Sequence, residues 1–173
     1  NVNAFPICLN PMNTEEIINI VKATSPGYGG INLEDIWAPS CFQIEKKPKE
    51  ELDIPVFHGD QHGTAVVVVA ALINALKLVN KRVEDIKLMM TGIGTAGTAC
   101  VKVIAQLGVN NTIGRNIQGA VVPGEKYEHS GKQCFSENTN PNCERGSVHD
   151  DIKGANVFLG VSAPNVIDSI DVQ

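Results

Sequence analysis

Short apolar runs alternate along this chain with segments whose apolar residues recur at helical spacing, the order that builds a parallel α/β sheet with crossover helices. Residues 4–9, Ala-Phe-Pro-Ile-Cys-Leu, read as a strand. Asn13 stands at a helix N-cap position with Glu16 completing a capping box, and Ile17, Ile18, Ile20 and Val21 supply the apolar stripe behind it. The sequence Pro26-Gly27-Tyr28-Gly29-Gly30 breaks that helix, and a short apolar run follows at 31–33. A helix is predicted over 40–51, kinked or ended by Pro48, then a strand at 54–57 and a long buried helix over 64–79. A strand beginning at Ile86 leads to a second helix, in which Ala96, Ala99, Cys100, Val103, Ile104 and Leu107 share one face. Residues 111–117 read as the next strand, closed by a turn at Gln118-Gly119. The stretch 123–142 is polar and aperiodic and is expected to be a long, mobile surface loop. A short helix at 147–153 and a strand at 155–161 complete the pattern.

Between the Ile86 strand and its helix the glycines are spaced G-x-G-x-x-G, as Gly92-Ile93-Gly94-Thr95-Ala96-Gly97. That order suits a dinucleotide pyrophosphate. Gly92 can take the tight turn, Gly94 leaves no Cβ between backbone and phosphate, and Gly97 lets the helix pack closely on the sheet. The N–H groups of the first turn, at Thr95, Ala96 and Gly97, would face the anion where the helix dipole favours negative charge. The same spacing is compatible with a plain helix-entry turn, so the motif gains its weight from the strand before it and the helix after it. Ser162, at the end of the last strand, is a candidate polar contact near the ribose or pyrophosphate.

Composition narrows the classes. The 173 residues are 43% apolar, enough for one domain or one and a fraction. A net charge of −5 without a basic cluster argues against nucleic acid as a partner. No apolar stretch in the sequence approaches the roughly 18 residues of a membrane span. Five cysteines without a framework spacing suggest reduced thiols and a cytoplasmic setting. Cys8, Cys41 and Cys100 read as core, and pairing of Cys134 with Cys143 is the alternative for that pair. Asn1 is not a start methionine and stands next to the first apolar run, so a piece of a longer protein is expected.

Glu34 and Asp35 follow one short apolar run and Asp60 follows another, and ligands gather at such carboxyl ends in parallel sheets. Three carboxylates from two strand ends could hold a hard divalent cation. They could equally be helix caps, Asp35 for the next helix and Asp60 for the one at 64. His58 and His62 flank the acids and read as hydrogen-bonding or packing neighbours, because a hard ion prefers oxygen. Trp37 could shield the acids or simply pack. His129 and His149 lie in polar surroundings without ligand spacing.

The words Asn32-Leu33-Glu34-Asp35 and Asp60-Gln61-His62-Gly63-Thr64-Ala65 resemble those of malic enzymes of the bacterial type. The likeness extends over nearly the whole chain, through Ser25-Pro26-Gly27-Tyr28-Gly29-Gly30, Ala38-Pro39, Cys41-Phe42, the glycine turn and Gly160-Val161-Ser162-Ala163-Pro164. The resemblance implies a Rossmann-like nucleotide domain over 60–173, preceded by part of a substrate-side α/β domain over 1–59. It implies that Glu34, Asp35 and Asp60 ligate Mg²⁺ or Mn²⁺, and that malate is oxidised and decarboxylated to pyruvate and CO₂ with hydride transfer to NAD or NADP. It also implies a homo-oligomer.

The resemblance places the family's catalytic Lys and Tyr upstream of Asn1 and its substrate-facing asparagines beyond Gln173. No catalytic residue is therefore expected within this chain, and the chain alone is expected not to turn over malate. Where the family usually has Asp-Asp, this chain has Gly59-Asp60, which would alter proton handling at the metal. At the end of the second nucleotide strand, where an acid commonly binds the ribose hydroxyls, Asn116 stands with Arg115 before it. That pair leans towards NADP over NAD, although Arg115 could as well be a solvated strand-end charge. The alternative to the enzyme is an inactive dinucleotide-binding module. In a further variant, an acyltransferase domain follows.

Overall fold

The structure, a computed structural model, describes residues 2–10, 13–127 and 130–172. His129 lies outside them. Helix α1 (Thr14–Thr24) opens on the capping box foreseen in the sequence. The Asn13 side chain accepts from the Glu16 N–H at 3.0 Å, and the Glu16 carboxylate accepts from the Asn13 N–H at 3.1 Å. A 3₁₀ turn, Ser25–Gly27, leads to strand β1 (Ile31–Leu33), helix α2 (Ser40–Glu51) and strand β2 (Val56–His58). Strands β1 and β2 pair in parallel, with Leu33 opposite His58. Ile18, Val21, Leu33, Ile44 and Val56 form a core of their own beneath this pair. Pro48 sits within the last turn of α2, and its carbonyl accepts the Leu52 N–H that closes the helix.

A π-helical turn, Gly59–Gly63, runs directly into helix α3 (Thr64–Leu78). Strand β3 (Lys87–Thr91), helix α4 (Thr95–Leu107) and strand β4 (Asn111–Asn116) follow. After β4 come β5 (Gly119–Ala120), α5 (Ser130–Glu137), α6 (Val148–Asp151) and β6 (Val157–Gly160). The second sheet has the order β5-β4-β3-β6, with β4, β3 and β6 parallel and β5 antiparallel at the edge. Central β3 reads as a continuous apolar run because it is covered on both faces. Leu88, Met89 and Met90 are each at most 1% exposed, and each such side chain contributes about 1.5–3 kcal/mol on burial. The α4 stripe packs on α3, with Cys100, Val101 and Ile104 in the same core as Leu72 and Leu76. Gly108, at φ +112°, ends α4 in the left-handed conformation that glycine adopts freely.

The structure departs from several expectations. Residues 4–9 form no strand and are exposed, Phe5 at 68%. An apolar run becomes a strand only where a sheet edge accepts its ladder, and among the described residues β1 pairs with β2 alone. With that run open to solvent, Cys8 is exposed rather than core, whereas Cys41 and Cys100 are buried. All five cysteines are free, so Cys134 and Cys143 do not pair.

Helix α3 is buried on one side only. Ala65, Leu72 and Leu76 face the core while Val66, Val67 and Leu78 are exposed. Together with the π-helical turn it makes a 20-residue helix, as long as a membrane span, a length the sequence pattern had not suggested.

The polar stretch 123–142 is not a structureless loop. It contains α5, whose Phe135 is fully buried, and it continues into buried Thr139 and Asn140. The Asn140 amide donates to the carbonyls of Val121 at 3.0 Å and Glu144 at 2.8 Å, and its Oδ1 accepts the Glu144 N–H at 2.7 Å. One internal Asn thus replaces the backbone ladder that an aperiodic segment lacks.

Candidate functional site

The parallel pairing of β1 with β2 puts the residues after Leu33 and His58 side by side, so Glu34 and Gly59 face each other at one sheet end. A Cβ on Gly59 would lie 2.0 Å from Glu34 Oε1, so the glycine leaves the space that the Glu34 carboxylate occupies. The same Oε1 accepts from the Asn32 amide at 2.8 Å. Asp35, at φ +57°, turns its backbone N–H to Asp60 Oδ2 at 3.0 Å. Asp60 therefore does not cap α3, whose N-cap is Gly63, and Asp35 does not cap α2, whose N-cap is Pro39.

The three carboxylates share one strand-end cluster, yet their oxygens do not all come within 4.8 Å of one another. Among the described residues, the only His/Cys/Asp/Glu trio that does is His149, Asp168 and Asp171. None of Glu34, Asp35 and Asp60 has an ion-pair partner among the described residues. Three adjacent acids without a cation are a charge arrangement that a hard cation relieves.

The turn that carries Asp60 is pinned by a residue the sequence reading passed over. Glu45 of α2, 7% exposed, accepts from Lys49 Nζ at 2.6 Å and Gln61 Nε2 at 3.0 Å, and bonds His62 Nε2 at 2.5 Å. Burial alone pushes the Glu45 carboxyl up, but the hydrogen bonds from Lys49 and His62 outweigh it and hold the group below the usual carboxylate range. His62 is thus a hydrogen-bonding neighbour and stacks obliquely on Phe57, with ring centroids 5.4 Å apart. His58 is fully buried and neither ring nitrogen has a hydrogen-bond partner among the described residues, so it packs. Trp37 is 85% exposed.

The glycine turn has the geometry its spacing requires. Gly92 sits at φ +100°, where a Cβ would lie 2.6 Å from the Val161 carbonyl oxygen, and its N–H bonds the Arg115 carbonyl. A Cβ on Gly97 would lie 2.0 Å from the Gly92 carbonyl oxygen, so α4 approaches the turn as closely as backbone allows. Gly94 is different: a Cβ there would meet no atom within 4 Å, and the space before the helix N-terminus stays open. The first-turn N–H groups of α4, including Thr95, Ala96 and Gly97, have no acceptor within the helix and point into that space.

Thr95 also links the two halves of the molecule. Its hydroxyl lies 3.5 Å from Cys41 Sγ on α2, and burial pushes that thiol up while the Thr95 contact partly offsets it. Ser162 donates to Thr91 Oγ1 at 3.1 Å, and both line a cleft of about 460 Å³ with Gly160, Pro164 and Asn165. Helix α4 packs against the π-helical turn, so the element that carries Asp60 and the helix that follows the glycine turn are in contact.

At the end of β4 the structure revises the sequence reading. Arg115 is neither solvated nor free. Its Nη1 is ion-paired with Asp151 of α6 and donates to the Gly146 carbonyl at 2.7 Å. Asn116 Oδ1 accepts from the N–H groups of Gln118 at 2.8 Å and Gly119 at 3.1 Å, closing the β4–β5 turn.

His149, separated by many residues from its partners, bonds Asp171 through Nδ1 at 2.7 Å. The Asp171 carboxylate raises its imidazole above the usual value, so this contact stabilises fully below the unfolded-state value and is lost as pH rises through the raised one. An NMR titration of His149 is expected to give a midpoint above that of a free imidazole, and Asp171→Asn to bring it down. A midpoint that ignores the substitution would rule the contact out.

Residues 61–120 match the family model described as malic enzyme, NAD binding domain. An NAD-dependent malic enzyme of Geobacillus stearothermophilus is 58% identical over 172 residues, which are 99% of this chain and 36% of that protein. An NADP-dependent malic enzyme of Haemophilus influenzae is 38% identical over 170 residues, 96% of this chain and 22% of that protein. The crystal structure of the Thermotoga maritima NAD-dependent malic enzyme superposes with a TM-score of 0.93 at 43% identity, covering 99% of this chain and 46% of that one. The chain thus spans less than half the length of each of these relatives. Over nearly all of its length this chain, with its Rossmann-like sheet, is thus similar to malic enzymes.

Proposed function

We propose that this chain supplies the divalent-metal ligands and the dinucleotide-binding unit of an enzyme that oxidises and decarboxylates malate to pyruvate and CO₂, with hydride transfer to NAD(P). The observation that carries the reading is the packing together of two features: the turn that brings Asp60 to the carboxylates at the β1 and β2 ends, and helix α4, whose N-terminus opens on the glycine turn. Residues 1–59 form the substrate side and 60–173 the nucleotide domain. Their separate cores and separate sheets support that division.

Glu34, Asp35 and Asp60 would hold the Mg²⁺ or Mn²⁺, an all-oxygen donor set that suits a hard ion. When bound, the metal supplies Lewis acidity, lowering the pKa of the substrate hydroxyl and stabilising negative charge on its oxygen as CO₂ leaves. Glu45 keeps the Asp60 turn in place through Gln61 and His62. The backbone of the glycine turn binds the pyrophosphate, with Gly94 admitting it and the α4 N-terminus neutralising it. Ser162 and Thr91 offer hydroxyls in the adjoining cleft.

Isothermal titration of the chain with Mn²⁺ tests the metal site. Asp60→Asn is expected to weaken Mn²⁺ by at least about tenfold, a loss that even outer-sphere partners of a metal can cause. An affinity unchanged by Asp60→Asn and by Glu34→Gln would sink the assignment. The spread of the three carboxylates favours a second reading, a dinucleotide-binding module without metal chemistry. NADH binding that is indifferent to Mn²⁺ and malate together would select it.

A further inference from the structure

The carboxyl end of β4, the second strand of the nucleotide unit, is where such folds choose between a ribose hydroxyl and a 2′-phosphate. A free guanidinium there would take the phosphate through two parallel N–H bonds. Arg115 stands at that end, but its guanidinium is turned into the protein. Its side chain is 12% exposed, and that of its partner Asp151 is 2% exposed.

The partner is held firmly. Ser147 and Asp150 form a capping box at the start of α6, and the Asp151 N–H bonds the Ser147 carbonyl at 3.0 Å. Gly146 admits this approach, since a Cβ there would lie 2.8 Å from Asp151 Oδ1, and its carbonyl takes a second bond from Arg115. Withdrawing Arg115 towards a ligand would leave Asp151 as a buried, uncompensated charge. Asn116 carries no charge to replace it, and its Oδ1 is spent on the turn.

We infer that Asp151 is a specificity-determining residue: by keeping Arg115 inside the protein it removes the cation that a 2′-phosphate needs, so the site prefers NAD to NADP. The inference rests on the proposal that the dinucleotide binds at the Gly92–Gly97 turn. Asp151 acts through Arg115 and touches neither nucleotide nor substrate.

Fluorescence titration of the chain with NADH and NADPH provides the test. The wild-type chain should bind NADH at least about tenfold more tightly than NADPH, the scale of one charge-assisted phosphate contact. Asp151→Asn should release the guanidinium and narrow that gap by about tenfold through NADPH alone. The double variant Arg115→Leu/Asp151→Ala removes both charges and should keep the wild-type affinity for each nucleotide. If Asp151→Asn fails to fold, the wild-type ratio and the double variant decide. Equal affinities in the wild-type chain, or loss of NADPH affinity in the double variant, would overturn the inference while leaving the nucleotide site intact. Absence of binding to either nucleotide would overturn both.

Discussion

Phe135→Ala is expected to lower the folding free energy by about 3–5 kcal/mol, the cost of emptying a fully buried aromatic site. For a domain whose whole stability is about 5–15 kcal/mol, that is enough to leave much of the chain unfolded at 37 °C. The ring is inaccessible and belongs to the core shared by α3, β3 and α4. It lies so close over β4 that a Cβ on Gly114 would be 1.9 Å from its Cε1. The site cannot collapse around the loss, because Asn140 and Thr139 just beyond hold the α5 segment by their own hydrogen bonds. Urea denaturation monitored by circular dichroism measures the change. A loss below about 1 kcal/mol, the scale of an ordinary surface or conservative change, would show that the ring does not fill the core.

Gly97→Ala should be nearly as damaging, by about 3 kcal/mol, at the upper end of the usual cost of overpacking. The new Cβ would meet the Gly92 carbonyl oxygen at 2.0 Å and Met90 Cε at 2.7 Å. The methionine can swing away. The carbonyl cannot, since Gly92 is itself wedged at φ +100° against the Val161 backbone. Gly94→Ala makes the opposite case. Its Cβ meets nothing within 4 Å and its φ of −86° suits alanine, so stability should hold while NADH affinity falls because the methyl occupies the pyrophosphate's approach. If Gly94→Ala bound NADH as tightly as the wild-type chain, the pyrophosphate would not be lying against that turn. If Gly97→Ala were harmless, the close approach of α4 would be wrong.

Most elements were legible where local signals agreed. The Asn13–Glu16 box, the β3 run, the α4 stripe and the glycine turn each rest on signals a few residues apart, and each lies where those signals put it. Residues 4–9 misled because a short apolar run reports a strand's capacity to be buried, not the presence of a partner edge. Helix α5 was missed for the reverse reason. Its sequence, Ser-Gly-Lys-Gln-Cys-Phe-Ser-Glu, carries no apolar stripe. One phenylalanine facing a glycine on β4 is enough to bury it.

Candidate site residues divide in the same way. Glu34, Asp35 and Asp60 were visible as acids at strand ends, and the parallel β1–β2 register brings those ends together. Glu45 was not visible, because its partners Gln61 and His62 are remote in sequence and only the packing of α2 on the β2 end brings them near. Arg115 shows the limit most clearly. Its position at a strand end was read correctly, whereas its orientation depends on Asp151, thirty-six residues further on.

By itself the amino-acid order determined the alternation of strand and helix, the turn that only glycine can make, and the oxygen-rich chemistry at the ends of β1 and β2, since these depend on backbone sterics and side-chain type within a few residues. The tertiary structure alone decided which charges are spent inside the protein and which remain for a ligand. A side chain's partner is set by what lies next to it in space, and the burial of that partner settles whether the charge can be withdrawn.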